Sequence, residues 1–276
     1  MQDERAKRIP TGIESLDPVL AGGVPKGSVI LLVGEPGAGN REFVYSSILF
    51  SSKLKEKGVE NQKISLPEEI AYTTFTRLSS SIAEELELSF KGDITKDIEN
   101  KVNFIDLSEI YFELSAVPTG WYSSTSVIER FQKKSDSVGI ISKLAESLQN
   151  HPKNSMIVID SITDIATENT TASEWKDLIG LLRGLQRVSK KWESVIYILL
   201  SDGILSDSRL IEIADCCDAM ITFRWEESSA RKRQRVMYFE KFRGVMPHLE
   251  EKDLVKFAVR ITPESGFEVS NIRVVI

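Results

Sequence analysis

A glycine loop that follows an apolar stretch holds the residues most able to do chemistry in this chain. Its glycines let backbone N–H groups approach a phosphate, since glycine adopts conformations that other residues avoid. A working loop of this spacing ends in Lys and then Ser or Thr, which reach the phosphates and bind Mg²⁺. Asn40 and Arg41 occupy those two positions here. The segment, termed the glycine loop below, reads Gly34, Glu35, Pro36, Gly37, Ala38, Gly39, Asn40 and Arg41.

An acidic residue at the end of a second apolar run is the next candidate. Residues 156–160 read Met-Ile-Val-Ile-Asp. Beside a phosphate-binding loop, an aspartate in this position holds Mg²⁺, usually through water. The pattern alone is weak, because many apolar strands end in Asp. In combination with the glycine loop it predicts Asp160 as a magnesium residue.

The elements that must position these residues follow an alternating pattern. Apolar, β-branched runs alternate with amphipathic stretches, which predicts an α/β fold with a mainly parallel sheet. Residues 41–57 have helical spacing, so the glycine loop joins a strand to a helix. The end of the chain predicts antiparallel strands, and residues 1–276 are predicted to form one domain, with segment 1–27 leading into its core. Predicted strands are 28–33, 70–75, 102–106, 155–160, 195–200, 219–223, 236–242, 254–261 and 267–275.

Composition excludes several functional classes. Hydrophobic residues make up 41% of the chain and charged residues 28%, an ordinary globular mixture. The apolar runs are far shorter than the roughly 20 residues that cross a bilayer. The N-terminus lacks a secretory pattern, so a cytoplasmic protein is expected. With two histidines and two adjacent cysteines, a metal site built from these residues is not expected.

Five segments together resemble a known family. Residues 9–17 (IPTGIESLD), residues 22–28 (GGVPKGS) and the glycine loop resemble the opening of RecA-superfamily ATPases. Residues 159–162 (IDSI) and 239–244 (FEKFRG) resemble two later motifs of the archaeal KaiC-like group of that superfamily. The resemblance covers nearly the whole chain, and the opening block and the Lys-x-Arg-Gly strand are its specific parts.

The resemblance implies a RecA-like core, ATP with Mg²⁺ at the glycine loop, and rings or filaments with a site at each subunit interface. In such assemblies the matching Lys241 and Arg243 would reach a neighbour's triphosphate, where cations stabilise a transferring phosphoryl group. The alternative is a pair of solvated charges on one face of a strand.

The departures from the family pattern are as informative as the matches. The strand after the first helix normally ends in one or two glutamates that polarise the attacking water, but Thr76 and Arg77 stand there. Lys, metal hydroxyl and water-polarising carboxylate are therefore all absent, although Arg41 or Arg77 could move into the position of the Lys. The sequence favours a non-hydrolysing regulatory or structural subunit that assembles with itself or with an active paralogue. A slow ATPase or RadA-like recombinase paralogue in DNA repair or signalling is the alternative, and a nucleotide sensor without turnover is a third class.

A cluster of cations near the end of the chain is the last candidate. Arg231, Lys232, Arg233 and Arg235 are predicted to lie on a hairpin between two strands, where they could contact phosphates or an acidic partner. Most such clusters are solvated turns, and the net charge of −6 opposes general nucleic-acid binding. Nucleic acid is therefore an open but not a favoured partner.

Overall fold

The structure, a computed structural model, describes residues 7–58, 63–92, 95–96, 98–113, 115–123, 139–167, 171–227 and 231–272. A small antiparallel sheet of β1 (Arg8–Ile9) and β2 (Val24–Pro25) precedes the main sheet. Between these strands the Asp17 carboxylate accepts bonds from the N–H and hydroxyl of Thr11, both at 2.7 Å, and from the N–H of Gly12 at 3.2 Å. Burial raises the pKa of Asp17, although these three bonds act in the opposite direction. Thr11, Gly12 and Asp17 of the opening block therefore stabilise the connection between β1 and β2 through these hydrogen bonds.

Strands and helices alternate through the rest of the described chain. One helix shows how the local sequence specifies a boundary: the Thr171 hydroxyl accepts from the Glu174 N–H at 3.3 Å, and the Glu174 carboxylate accepts from the Thr171 N–H at 2.8 Å. The elements are β3 (Val29–Gly34), α1 (Asn40–Glu56), β4 (Ile70–Thr74), α2 (Ser79–Ser89), α3 (Ile98–Lys101), β5 (Asn103–Asp106), α4 (Ser108–Phe112), α5 (Ile140–Leu148), β6 (Met156–Asp160), α6 (Ile162–Thr167), α7 (Ala172–Trp192), β7 (Val195–Ser201), α8 (Asp207–Asp215), β8 (Ala219–Glu227), β9 (Arg233–Phe242), α9 (Met246–Glu251), β10 (Lys256–Thr262) and β11 (Gly266–Asn271).

In the part of the chain that the structure describes, nine strands form one sheet in the order β11-β10-β9-β8-β3-β7-β6-β4-β5. The strands from β8 to β5 in this order are parallel, and β9, β10 and β11 add to them antiparallel. This arrangement confirms the predicted RecA-like α/β fold. Because parallel strands end at the same edge of the sheet, the glycine loop after β3 and the ends of β4 and β6 lie on one side of the molecule.

Both faces of the sheet are covered by apolar side chains. Ile30 and Leu32 of β3 point to a cluster that includes Phe43 of α1, while Leu31 points to the opposite cluster, which includes Leu182 of α7. Such continuous apolar strands are typical of a parallel sheet that is buried on both sides. In the described residues, no helix is long and apolar enough to cross a membrane.

The last strands differ from their predicted limits. β8 continues to Glu227 and β9 begins at Arg233, so both strands of the hairpin are longer than predicted. Arg235 lies directly opposite Trp225, and Arg233 lies opposite Glu227. The pattern of apolar residues ends before these positions, which is why it did not predict the extension. β11 ends at Asn271, and residues 273–275 of the strand predicted there lie outside the described residues.

Candidate nucleotide site

The backbone of the glycine loop keeps a shape suited to an anion. Gly37 and Gly39 have φ angles of 71° and 114°, in the left-handed region that favours glycine. A Cβ on Gly39 would also lie 3.2 Å from the Ile261 Cδ1 and 3.3 Å from the Phe267 ring, closer than most side chains tolerate. Loops of this kind turn successive N–H groups toward one point and form an anion-binding concavity.

Two residues of the β8–β9 hairpin hold the outer side of this loop. The Trp225 backbone N–H donates to Glu35 Oε2 at 3.0 Å, and its indole N–H donates to the Pro36 carbonyl at 3.2 Å. The Arg235 Nε–H donates to the Gly37 carbonyl at 2.9 Å. We term this set of contacts the hairpin clamp. No sequence motif indicates it, because Trp225 and Arg235 are about 190 residues from the loop.

Asn40 stands at the position of the phosphate-binding Lys and packs against the base of the loop. A Cβ built on Gly34 would lie only 2.4 Å from the Asn40 Cγ, so the carboxamide occupies the space beside this glycine. The carboxamide carries hydrogen-bonding groups and no charge. The loop therefore has its backbone geometry without the cation that normally accompanies it.

The neighbouring residue, Arg41, binds the predicted magnesium residue. Its Nη2 lies 3.3 Å from Asp160 Oδ1. The other carboxylate oxygen, Oδ2, accepts a bond from the Tyr72 hydroxyl at 2.5 Å and lies 3.8 Å from Arg77 Nη1. The Asp160 side chain is 1% exposed, so these partners surround a buried carboxylate. Arg41 and Arg77 thus both lie at the aspartate.

Further contacts extend this cluster to a neighbouring helix. Arg77 Nη1 also donates to the Tyr45 hydroxyl at 3.1 Å, and Arg77 Nη2 forms an ion pair with Glu85 of α2. Tyr45 lies one helical turn after Arg41 on α1, so both side chains leave the same face of that helix. We term the whole set the arginine network. It consists of Arg41, Tyr45, Tyr72, Arg77, Glu85 and Asp160.

Protonation states in the arginine network follow from burial and charge. Burial raises the pKa of Tyr72 well above its usual value, and the neighbouring Asp160 carboxylate raises it further. Burial likewise raises the pKa of Tyr45 to about 12, against the effect of Arg77. Burial disfavours the charge on Arg41, but Asp160 outweighs it and the pKa of Arg41 is raised. Both tyrosines are therefore neutral and Arg41 is a cation at neutral pH; the Tyr72 hydroxyl donates to Asp160, and the Tyr45 hydroxyl accepts from Arg77.

These residues do not fit a magnesium ion. Mg²⁺ requires near-octahedral oxygen ligands and is usually held through carboxylates, phosphates and water. Arg41 stands where the family has the metal-binding Ser or Thr of the loop. Both carboxylate oxygens of Asp160 already contact protein cations or hydrogen-bond donors. At the end of β4, Arg77 forms ion pairs with Asp160 and with Glu85 of α2. Among the described residues, no group of three or more His, Cys, Asp or Glu side chains could hold a metal ion.

Comparison with known proteins agrees with the fold and with the motifs. A family model described as "ATPase: KaiC" matches residues 9–272. The chain belongs to the KaiC family of ATPases. This confirms the resemblance found in the opening block, the glycine loop and the Lys-x-Arg-Gly strand. No curated protein matches the chain at a significant level.

Two solved structures show the same fold as this KaiC-family chain. A KaiC-like protein from the hyperthermophilic archaeon Pyrococcus horikoshii OT3 is 19% identical, with a TM-score of 0.59 over 96% of this chain and 99% of its own. The flagellar accessory protein FlaH from Methanocaldococcus jannaschii is 16% identical, with a TM-score of 0.61 over 94% of this chain and 96% of its own. At identities of 19% and 16%, the similarity to these structures shows a shared fold and no more.

The two cations of the KaiC-like strand motif bind the end of a helix in this chain. Lys241 Nζ donates to the Ala214 carbonyl at 2.7 Å, and Arg243 Nη2 donates to the Asp215 carbonyl at 3.0 Å. Both carbonyls end α8, where cations interact favourably with the helix dipole. Burial, followed by the charge of Arg243, lowers the pKa of Lys241. A role at a subunit interface remains a prediction, and it would require these side chains to leave α8.

The predicted basic cluster lies beside the hairpin clamp. Arg231, Lys232 and Arg233 are exposed. The Arg233 guanidinium carbon lies 3.9 Å from the centroid of the Trp225 ring, and that of Arg235 lies 4.5 Å from it. Two of the four cations, Arg233 and Arg235, therefore lie over an aromatic ring that the sequence pattern did not associate with the cluster.

Proposed function

We propose that this chain is a non-hydrolysing member of the KaiC family that acts as a regulatory or structural subunit. The observation that carries the proposal is the pairing of Arg41 and Arg77 with Asp160, the residue that would otherwise hold Mg²⁺. Phosphoryl transfer depends almost entirely on positioning and on cations around the phosphates. A site that directs its own cations to the metal residue is poorly suited to this reaction.

Magnesium binding would have to displace Arg41 from Asp160. A hydrogen-bonded contact between charged groups contributes about 1.5–3 kcal/mol, and the lower value applies because the Arg41 side chain is 45% exposed. A loss of about 1.5 kcal/mol corresponds to an affinity roughly tenfold weaker. This penalty adds to the absence of the loop hydroxyl as a ligand.

The uncharged Asn40 affects the nucleotide rather than the metal. A hydrogen bond from a charged donor contributes about 1.5–3 kcal/mol, so a loop without the Lys should bind ATP roughly 10- to 150-fold more weakly. The backbone of the loop still offers its N–H groups. We therefore expect ATP binding to be weak and independent of Mg²⁺.

Calorimetry and phosphate release test this proposal directly. The unmodified chain should release no phosphate from ATP above a protein-free blank, and its affinity for ATP should be the same in Mg²⁺ and in EDTA. An Asn40→Lys/Arg41→Thr variant restores the family residues at both positions and should bind ATP at least tenfold more tightly, with Mg²⁺ now required. Steady phosphate release by the unmodified chain, abolished by Asp160→Ala, would overturn the proposal. Tight ATP binding without release would instead indicate a nucleotide sensor.

We also propose that residues 1–276 form one domain that assembles with itself or with an active KaiC-like paralogue. Lys241 and Arg243 are the residues whose family position supports this assembly. Analytical ultracentrifugation of the chain alone, and mixed with such a paralogue, tests it. A monomer in both samples at concentrations of about 100 μM would contradict this part of the proposal.

A further inference from the structure

The basic end of the β8–β9 hairpin has no role in the function proposed above. Four cations lie within five residues there, in a chain whose net charge is −6. Together with Trp225 they form the surface that we term the basic hairpin surface: Arg231, Lys232, Arg233, Arg235 and Trp225. We propose that this surface binds single-stranded nucleic acid, with the cations on its phosphates and the stacked side chains against its bases.

The arginines of this surface are already ordered for phosphate binding. Arg233 and Arg235 are two residues apart on β9, so both side chains leave the same face of the strand as Trp225, which lies opposite Arg235. Each guanidinium lies over the indole ring, with its central carbon 3.9 Å (Arg233) or 4.5 Å (Arg235) from the ring centroid. Stacking uses the face and leaves N–H groups at the edge of the guanidinium for a phosphate. Ordering before binding also reduces the loss of side-chain entropy.

The same stack favours nucleic acid over an acidic protein. Bases stack on aromatic rings and on arginine guanidinium planes, and this contribution does not depend strongly on base sequence. An acidic peptide would use the charges but would gain nothing from planar groups. Unpaired bases are required for this contact, so a single strand is favoured over a duplex.

Carboxylates near the surface offset only part of its charge. Glu226 is engaged by Lys256 at 2.8 Å and by the Tyr238 hydroxyl. Glu227 lies opposite Arg233 across the two strands and reduces the effective charge. About three positive charges therefore remain to interact with phosphates.

Fluorescence anisotropy with a labelled oligothymidylate of about 20 nucleotides tests the proposal on the full chain. Three phosphate contacts on a single strand correspond to a salt slope of about −2, so binding should weaken about 20-fold between 50 and 200 mM salt. Anisotropy measures oligonucleotide binding and not ATP hydrolysis, so binding can be absent while the lack of hydrolysis holds, and hydrolysis can be found while binding holds.

Two triple variants with the same change of charge separate this surface from general attraction. Arg231→Gln/Lys232→Gln/Arg233→Gln should weaken binding at least tenfold and bring the salt slope to a value between about −0.7 and zero. The control, Lys53→Gln/Lys55→Gln/Lys57→Gln, neutralises three exposed lysines at the end of α1 and should change binding by less than about twofold.

The aromatic ring is tested separately from the charges. Trp225→Ala keeps every cation and should weaken binding about 5- to 150-fold, the range that removal of one stacked base contact produces. Trp225→Phe keeps an aromatic face and should restore much of the affinity. The single variant Arg231→Gln, at the turn of the hairpin, provides a milder test that should lower the salt slope by about 0.7 if the triple variant does not fold.

Several results would overturn the proposal. Equal losses in the two triple variants would show general electrostatic attraction. Competition by polyglutamate as strong as by the oligonucleotide would indicate an acidic protein partner, and a duplex bound as tightly as a single strand would remove the role of stacking. Unchanged binding in Trp225→Ala would contradict it in the same way.

Discussion

Replacement of Asp160 by Asn tests whether the arginine network is a structural unit. In a site prepared for Mg²⁺, a buried aspartate has no protein countercharge and its neutralisation relieves an unfavourable charge. In this chain Asp160 is the counterion of Arg41 and Arg77 and the acceptor of the Tyr72 hydroxyl. The same substitution should therefore destabilise the folded chain.

The expected loss follows from the contacts of the carboxylate. A hydrogen bond to a charged acceptor contributes about 1.5–3 kcal/mol, and Asn keeps an acceptor of the same shape without the charge. The Arg41 and Arg77 side chains are 45% and 26% exposed, so solvent weakens both ion pairs and each adds less than a fully buried pair. We expect the free energy of unfolding to fall by about 2–3 kcal/mol.

Urea unfolding at pH 7, followed by circular dichroism, measures this change, and an unchanged m-value shows that the comparison is valid. Asp164→Asn is the matched control, because this carboxyl lies on α6 and burial raises its pKa, so its charge is disfavoured in the folded chain. The control should be neutral or slightly stabilising. Asp160→Asn with stability equal to or above that of the unmodified chain would refute the pairing of the carboxylate with the arginines.

Three further predictions concern the tyrosines, the hairpin clamp and the end of α8. The pKa of Tyr45 is raised to about 12 in the folded chain, so this hydroxyl keeps its proton to higher pH than in the unfolded chain. Between pH 10 and 12, Tyr45 should therefore lower the free energy of unfolding by about 1.4 kcal/mol per pH unit. Trp225→Ala should speed hydrogen exchange of the glycine-loop amides about 2- to 12-fold, since the indole donor to the Pro36 carbonyl is lost while the backbone N–H remains. Lys241→Ala and Arg243→Ala should each reduce the stability of the isolated chain by about 0.5–1.5 kcal/mol, because carbonyls of α8 lose their donors.

Each of these predictions has a control and a contradicting result. Tyr45→Phe should remove about 1.4 kcal/mol per pH unit from the alkaline slope, and an unchanged slope would mean that this hydroxyl ionises equally in both states. Exposed Trp121 provides the control for the clamp, since Trp121→Ala should leave exchange in the glycine loop unaltered. Full stability of both α8 variants would show that the cations are not held by this helix and would favour their role at an interface.

Much of the fold could be predicted from local sequence, for a physical reason. A parallel strand that is buried on both sides requires a run of apolar residues, and the turn into α1 requires glycines in left-handed conformations. Both features depend on residues that are adjacent in the sequence, so both can be predicted from it. The predicted strand 155–160 and the predicted helix 41–57 agree with β6 and α1 to within one residue at each end. The replacement of the phosphate Lys by Asn40 was equally evident from the motif alone.

Only the tertiary structure shows which groups Arg41 and Arg77 bind. The sequence left open whether Arg41 or Arg77 replaces the missing Lys, and both instead bind Asp160, which is 119 residues from Arg41. They meet because β3, β7, β6 and β4 are neighbours in the sheet and end at the same edge. That strand order depends on how whole elements pack together, and no local pattern of residues encodes it.

The sequence by itself therefore determined the resemblance to the family, most of the elements and the residue types at the family's catalytic positions, since each depends on residues at short spacing. Only the tertiary structure decided which partners these side chains contact: Arg41 and Arg77 bind the buried Asp160, Trp225 and Arg235 bind the glycine loop, and Lys241 and Arg243 bind the end of α8. These contacts join residues far apart in the chain, and their strength comes from burial and charge that exist only after the sheet has formed.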